Sequence, residues 1–201
     1  MRSDHHAWDV LLIGGASGVG KSRAAAHLAA GRGAFTVEFD DVVAALQAAT
    51  TPATHPGLHH FAAHQDPERE LGAERVLELQ IATAQALDEA LLGVVRNRLS
   101  VQVPAVVEGD YLTPAAAVRA ATEAAGQHRR LRAVFLHEGD PARIGENYAH
   151  REPDRGPQSV RAEVSAAYSR WLAAEARAHG LPVLDCRPYD TLPQRLAAAL
   201  A

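Results

Sequence analysis

Eight residues near the start of the chain, at positions 15–22, have types and spacing that could bind a polyphosphate. They read Gly-Ala-Ser-Gly-Val-Gly-Lys-Ser and fit the pattern G-x-x-x-x-G-K-[ST]. The glycines let successive backbone N–H groups turn towards an anion, and a helix that begins near Gly20 adds the positive end of its dipole. In this pattern the lysine reaches the β- and γ-phosphates of a nucleoside triphosphate and the last serine binds Mg²⁺. The residues predicted to contact the nucleotide here are Gly15, Ala16, Ser17, Gly18, Val19, Gly20, Lys21 and Ser22.

The sequence around this loop supports that interpretation over a glycine-rich turn with a stray lysine. An apolar, strand-like run at 10–13 precedes the loop, and a helix-forming run at 23–30 follows it. Lys21 is also the only lysine in the chain, because every other strongly basic side chain is an arginine. No G-x-G-x-x-G occurs in this segment, so a dinucleotide-binding fingerprint is not supported.

Acidic side chains follow two further predicted strands. Residues 35–39 alternate and end at Asp40 and Asp41, whereas residues 104–110 form an apolar strand that exits through Glu108, Gly109 and Asp110. Ligands of open parallel sheets bind at the carboxyl ends of the strands, so these acids are expected beside the phosphate loop. Asp40 could accept the proton of an attacking hydroxyl or hold Mg²⁺ through water, or it could only cap a helix over 42–49.

Glu108 and Asp110 have two open interpretations. They could touch the metal ion or the acceptor, as carboxylates after such a strand do in phosphate-loop sites, or they could be charges in a strand-terminal turn. Ser22 and Glu108 are the predicted Mg²⁺ ligands, partly through water, and the acids at 40, 41, 108 and 110 are predicted to lie near the substrate.

A basic segment lies between the last two predicted strands. Arg143, Asn147 and Arg151 are spaced i, i+4 and i+8, so on a helix all three lie along one face. Guanidinium groups match phosphoryl oxygens and stabilise the charge that shifts during transfer, so this face could close on phosphate as a lid over residues 140–157. The alternative is a set of salt bridges to Glu146 or Glu152 on an exposed helix.

A histidine-rich loop occupies residues 50–66. His60 and His64 have the i, i+4 spacing of metal-binding helices, but no H-E-x-x-H motif or cysteine partner accompanies them. The other interpretations are substrate or lid contacts, with His59 and His60 as the candidates, and a solvated surface.

Alternating strands and helices predict an α/β fold with a parallel sheet between helical layers. The remaining strands are expected at 131–137 and 181–185, and a packing helix is expected at 159–179. A helical insert at about 50–100 would contribute to the acceptor site, and its periodic part, 67–98, predicts one long helix or two helices broken near Gly72 or Gly93.

Length and composition limit the remaining possibilities. The 201 residues suit one domain, and a net charge of −4 argues against a protein that coats nucleic acid. A single cysteine, Cys186, allows no internal disulfide, and no run of about 18 apolar residues predicts a membrane span. We therefore expect a cytoplasmic protein, whose state as a monomer or homodimer the sequence leaves open.

The phosphate loop, the acids after strands two and three, and the arginine-bearing segment together resemble small phosphate-loop (P-loop) kinases. That group includes adenylate, shikimate and gluconate kinases and chloramphenicol phosphotransferase, and the opening Leu-Ile-Gly-Gly-Ala-Ser-Gly-Val-Gly-Lys-Ser and the Glu-Gly exit look most like 2-phosphoglycerate-kinase-like proteins. The resemblance implies a three-layer sandwich with sheet order 2-3-1-4-5, Asp40 as the acceptor-side base, a lid at 143–151, and Arg187 and Pro188 beside adenine. Strand three ends in Glu-Gly-Asp instead of the Asp-Glu of motor-type ATPases, which disfavours a helicase or AAA+ protein.

The resulting expectation is an ATP- and Mg²⁺-dependent kinase that phosphorylates a small hydroxylated molecule. Lys21, Asp40, Arg143 and Arg151 are the predicted catalytic residues, and Asn147 is a predicted substrate contact. The alternative is a nucleotide-gated regulatory ATPase that has no phosphoryl acceptor. A GTPase switch is disfavoured because its guanine-reading motif needs a second lysine.

Overall fold

The computed structural model describes residues 8–200, which form five strands and nine α-helices. The strands are β1 Val10–Gly15, β2 Phe35–Glu38, β3 Ala105–Gly109, β4 Leu131–His137 and β5 Val183–Asp185. The helices are α1 Lys21–Arg32, α2 Phe39–Ala49, α3 Pro67–Leu71, α4 Ala73–Ala86, α5 Asp88–Leu99, α6 Pro114–Gly126, α7 Pro141–Arg151, α8 Ser159–Ala178 and α9 Leu192–Ala199.

The five strands make one parallel sheet with the order β2-β3-β1-β4-β5, as the resemblance implied. β1 lies at its centre, where Leu12 pairs with Val107 of β3 on one side and with Ala133 of β4 on the other. Every residue of β1 and β3 is buried, which is why these strands are continuously apolar instead of alternating. Because all strands run the same way, their carboxyl ends meet at one edge.

The boundary between β2 and α2 differs from the prediction. The strand ends at Glu38 and the helix begins at Phe39, which is fully buried, so the helix starts three residues before position 42. Asp40 and Asp41 therefore lie in the first turn of α2, where the helix dipole favours negative charge, and not in a loop after the strand.

The insert contains three helices, which corrects the prediction of one or two. The first break is at Gly72, as expected, where a φ of 78° ends α3. The second lies at Leu87 and not at Gly93, which is inside α5. Leu87 is buried, and its N–H makes the last hydrogen bonds of α4. Its carbonyl accepts the N–H of Leu91 at the start of α5.

Two clusters of buried side chains hold the layers together. The larger includes the sheet residues and the inner faces of the helices on both sides, whereas the smaller consists of Ile144 and Tyr148 of α7 packed against Ala162 and Ala166 of α8. The smaller cluster attaches α7 to the body of the protein. Among residues 8–200, no helix is both long and apolar enough to cross a membrane.

Candidate active site

A cavity of about 570 Å³ opens at the carboxyl edge of the sheet, directly over the phosphate loop; we call it the phosphate cavity. The loop leads from β1 into α1, which begins behind Gly20 without a side-chain cap and with no acid in its first turn. The N–H groups of that turn are thus left for an anion. The residues that line the phosphate cavity are Ser17, Gly18, Gly20, Lys21, Ser22, Arg23, Asp40, Glu108, Asp110, Asn147, His150, Arg151 and Tyr189.

Lys21 is buried and points back along the loop. Its Nζ donates to the carbonyl oxygen of Ala16 at 3.0 Å and forms a short ion pair with Asp110 Oδ1. Burial alone would lower the pKa of Lys21, but the hydrogen bond and charge of Asp110, together with the charges of Glu108 and Asp40, outweigh it and the pKa is raised. The ammonium group is therefore charged and sits where a phosphate chain would pass over the loop.

Asp40 faces the same cavity from α2. Its Oδ1 accepts the backbone N–H of Asp110 at 3.1 Å. The loss of solvation beside the protein wall, together with the negative charge of Asp110, raises the pKa of Asp40 to about 6. A carboxylate with such a pKa is ionised at neutral pH and close to the range in which it can take up a proton.

Gly109 permits this approach of α2 to the end of β3. A Cβ atom at this position would lie 3.0 Å from Cβ of Phe39 and 3.1 Å from Oδ1 of Asp40. Any larger residue would push the carboxylate away from the strand exit. Gly109 thus brings the backbone at the end of β3 near Asp40.

Ser22 and Glu108 form the oxygen-rich side of the phosphate cavity. Glu108 is 3 % exposed, and burial raises its pKa, which a hydrogen bond with the Ser22 side chain partly offsets. Hydroxyl and carboxylate oxygens are the donors that Mg²⁺ prefers, and they lie next to the phosphate loop. The residues predicted from sequence to hold Mg²⁺ therefore suit that ion, with Asp110 and Asp40 close by.

The predicted lid face on α7 divides into two parts. Asn147 and Arg151 line the phosphate cavity, and Asn147 Nδ2 donates to the Gly18 carbonyl at 2.7 Å and to the Tyr189 hydroxyl at 2.8 Å. Arg143 does not line it, because its guanidinium lies 3.5 Å from Asp140 and 3.7 Å from Glu138. Arg151 also pairs with Glu152, so the salt bridge weighed as an alternative is present beside the cavity.

Glu138, a buried acid at the end of β4, was not singled out from the sequence. Its Oε2 lies 3.5 Å from Nε of Arg187 and 3.7 Å from Nη1 of Arg143. The Arg187 side chain also reaches α7, where it donates to the Arg143 carbonyl at 3.3 Å and to Glu146 at 3.2 Å. Arg187 thus connects the loop after β5 to α7.

A smaller cavity of about 170 Å³ lies between α1 and α9; we call it the α1–α9 pocket. It shares Gly20, Arg23 and Tyr189 with the phosphate cavity, so the two are adjacent, and its other walls include Leu192 and Pro193. Arg187 and Pro188, predicted to flank adenine, immediately precede Tyr189 but line neither cavity. Tyr189 was not predicted from the sequence, because a tyrosine in a loop carries no recognisable signal of a binding site.

Several other predicted residues lie away from the phosphate cavity. Asp41 is exposed on α2, and neither His59 nor His60 is among the residues that line the cavity. His59 Nε2 instead lies 2.9 Å from the Thr50 hydroxyl, and His64 pairs with Glu70. Residues 8–200 contain no group of three or more His, Cys, Asp or Glu side chains arranged to hold a metal ion, which leaves the two-histidine spacing without further ligands.

The fold is similar to that of solved kinase structures. A gluconokinase from Sinorhizobium meliloti aligns over 96 % of this chain and 91 % of its own, with a TM-score of 0.54 and 19 % identity. Shikimate kinases from Acinetobacter baumannii and Aquifex aeolicus give TM-scores of 0.45 and 0.47, each at 13 % identity, with coverage of 96 % and 95 % of this chain and 94 % and 95 % of theirs. At these identities the likeness concerns the fold, which is that of the small P-loop kinases. No curated protein matches the sequence significantly.

The family comparison covers most of the chain. A model described as an AAA domain matches residues 10–175, which include the phosphate loop, the acidic strand exits and α7. This match corrects the expectation that the Glu-Gly-Asp exit of β3 disfavours an AAA+ protein, because the exit lacks the adjacent Asp-Glu of motor-type ATPases while the rest of the matched region fits the AAA domain model. With the phosphate loop at its amino-terminal end and this match across its length, the chain belongs to the AAA domain family of P-loop proteins.

Proposed function

We propose that the protein is a kinase that transfers the γ-phosphoryl group of ATP to a hydroxyl group of a small molecule. The observation that carries the proposal is the convergence of Lys21, Asp40, Glu108 and Asp110 in one cavity over the phosphate loop. A loop that only bound nucleotide would need the lysine and the backbone cradle, but it would not need a carboxylate whose pKa is raised to about 6.

The polyphosphate of ATP would lie along the loop, with its base towards the α1–α9 pocket. Lys21 would exchange its contact with Asp110 for the phosphate oxygens, while Arg151 would neutralise charge from the lid side. Ser22 and Glu108 would hold Mg²⁺, which supplies positive charge to the phosphate oxygens.

Asp40 is the proposed base. As the acceptor oxygen forms its bond to the γ-phosphorus, the bond from that phosphorus to the bridging oxygen of ADP breaks, and the hydroxyl proton passes to Asp40. We favour Asp40 over Asp110 because the pKa of Asp40 is raised to about 6 and the backbone N–H of Asp110 orients its carboxylate. Closure of α7 over the cavity would exclude water, which competes as an acceptor.

The test is ADP release in a panel of hydroxylated metabolites, with Lys21→Ala as the inactive reference. A true acceptor raises turnover above background hydrolysis, and the variant should lose about 10²- to 10³-fold because a principal phosphate contact is gone. Because Lys21→Ala leaves Asp110 without its partner, the double variant Lys21→Ala/Asp110→Asn serves as a control that restores charge balance without restoring the contact.

Two results would contradict the proposal. Unchanged turnover in Lys21→Ala would remove the phosphate loop from catalysis. Turnover that no acceptor raises, in a wild-type protein that binds and slowly hydrolyses ATP, would favour the regulatory ATPase instead.

A further inference from the structure

A third cavity, of about 210 Å³, lies next to the phosphate cavity between α4 and α8; we call it the α4–α8 pocket. It shares Ser17 and Asp110 with the phosphate cavity, so a molecule bound there could present a hydroxyl group to the end of the phosphate chain. The sequence gave no motif for this place, because its walls come from the helical insert and from α8.

One side of the α4–α8 pocket is apolar and the other is polar. The apolar side consists of Phe61, Pro67, Val76 and Val164. On the polar side the only cationic lining residue is Arg161, a half-buried side chain of α8. A small molecule that fills this space must therefore offer Arg161 a hydrogen-bond acceptor, or it leaves the guanidinium without a partner in the ligand.

Arg161 is held in a fixed orientation. Its Nη1 donates to Glu152 Oε2 at 3.0 Å and to Gln158 Oε1 at 2.6 Å, and its guanidinium lies 4.3 Å from the ring centroid of Tyr148. Both hydrogen bonds use Nη1, so among the described residues no side chain takes the donors on Nε and Nη2. A guanidinium fork that is already fixed loses little entropy when it binds a carboxylate or phosphate.

The carboxylate that pairs with Arg161 also pairs with two other arginines. Glu152 is shared, because Arg151 donates to its Oε1 at 2.6 Å while Arg155 and Arg161 both lie at its Oε2. The hydrogen bond from Arg151, followed by that from Arg161, lowers the pKa of Glu152 to about 2, so one carboxylate meets three guanidinium groups. Arg151 lines the phosphate cavity and Arg161 lines the α4–α8 pocket, so the single charge of Glu152 cannot offset both.

We propose that the α4–α8 pocket receives the phosphoryl acceptor and that this acceptor carries a carboxylate or phosphate group bound by Arg161. This inference rests on the proposed kinase function. Arg151 then faces the anionic donor and Arg161 the anionic acceptor, and Glu152 holds the two guanidinium groups at the partition between the cavities. Glu68, which also lines the pocket, would instead favour an acceptor with an ammonium group.

The experiment measures ADP release with D-glycerate, D-gluconate and shikimate, each paired with its neutral methyl ester, and with the amino alcohol serinol. Wild type is compared with Arg161→Met and Arg161→Lys. The matched control is Arg155→Met, because Arg155 also pairs with Glu152 but lines neither cavity.

We expect one or more acids to raise turnover where their esters do not. We also expect Arg161→Met to raise the acceptor KM about 10- to 100-fold with little change in the KM for ATP. Arg161→Lys, which keeps the positive charge, should raise the acceptor KM less than Arg161→Met does.

Each outcome is decisive. Equal stimulation by esters and acids, an unchanged acceptor KM in Arg161→Met, or a similar loss in Arg155→Met would overturn the assignment of Arg161. Preference for serinol would overturn the anionic class and direct attention to Glu68. Absence of stimulation by every compound, while ATP still binds, would contradict the kinase function itself.

Discussion

Among the acidic side chains around the phosphate loop, Asp40 combines access to the cavity with a pKa raised to about 6. Burial raises this pKa most, as Gly109 lets α2 come close to the end of β3, and the negative charge of Asp110 raises it further. The N–H of Asp110 orients the carboxylate. Asp41, one residue further along, is exposed and lines no part of the phosphate cavity. Adjacent acids with the same sequence signal therefore have different chemistry.

The first prediction concerns the pH dependence of turnover. If Asp40 is the base, kcat should fall as the pH drops below about 6, because protonated Asp40 cannot accept the hydroxyl proton. Asp40→Asn should lose about 10²- to 10⁴-fold in kcat while it still binds ATP. Asp41→Asn is the matched control and should keep both the rate and the acidic limb; a wild-type profile that is flat down to pH 5 would reassign the base.

Asp40→Asn, which should lower the rate, should also raise the stability of the protein. The pKa of Asp40 is higher in the folded protein than in an unfolded chain, so between about pH 4 and pH 6 the folded state binds more protons, and ionisation above that range costs stability. Asp40→Asn should therefore raise Tm at pH 7.5 without nucleotide, and the gain should shrink as the pH falls towards 4. Thermal unfolding at several pH values measures this, and a constant or negative difference would be inconsistent with a raised pKa.

At the scale of elements, α7 connects several segments of the site. Asn147 joins it to the phosphate loop and to Tyr189, and Arg187 joins it to the loop after β5. Tyr148 anchors it below, with its hydroxyl 2.7 Å from that of Ser165 on α8. The opposite side of the site has a similar support, because Tyr168 of α8 donates to the Asp110 carbonyl at 3.0 Å.

Removal of the Asn147 side chain should weaken nucleotide binding. Asn147→Ala loses two hydrogen bonds, each contributing about 0.5–1.5 kcal/mol, so we expect the Kd for ATP to rise roughly tenfold and stability to fall by about 1–2 kcal/mol. Isothermal titration with Mg·ATP and chemical denaturation measure the two effects. Asn97→Ala, at the only other asparagine, which lies exposed on α5, is the control; equal behaviour of the two variants would remove Asn147 from the site.

Sequence patterns predicted some elements better than others, for physical reasons. The phosphate loop and the buried strands were recognisable because their signals are local, consisting of a fixed glycine spacing and apolar runs. The start of α2 was not, since Phe39 extends an alternating strand pattern but is buried as the first residue of a helix. Arg143, Asn147 and Arg151 do follow helical spacing, yet Arg143 turns to Glu138, an acid that directly follows β4.

At the scale of the whole molecule, the order β2-β3-β1-β4-β5 places the exits of β3 and β4 on either side of the phosphate loop. Glu108 and Asp110 lie at the end of β3, and Glu138 follows β4, which leads into α7. This order could be inferred from the family resemblance, but the residues that complete the cavities could not. Tyr189, Arg161 and Glu152 come from separate segments whose meeting depends on the packing of α7, α8 and α9. The single-domain organisation and the closeness to 2-phosphoglycerate-kinase-like proteins stay predictions.

Nucleotide binding should stabilise the entire domain, because the ligand contacts only the folded chain. At a Mg·ATP concentration of 100 times Kd the gain is about 2.7 kcal/mol, which corresponds to an increase in Tm of roughly 5–11 °C for a protein of this size. Lys21→Ala should lose most of this shift and Asp40→Asn should retain it. Differential scanning calorimetry measures it, with Mg²⁺ alone as the reference; a shift that Lys21→Ala retains in full would locate the nucleotide elsewhere.

Gly18 has a further consequence for how the protein works. It adopts a φ of 82°, and a Cβ there would lie 3.1 Å from the Tyr148 ring, so the bend of the phosphate loop rests on an aromatic side chain of α7. If α7 acts as the proposed lid, it also supports the loop that it covers, and it cannot move away while that loop stays fixed. Departure of α7 would then remove the contact that shapes the anion cradle, so product release and weaker binding of its phosphates would occur in one step.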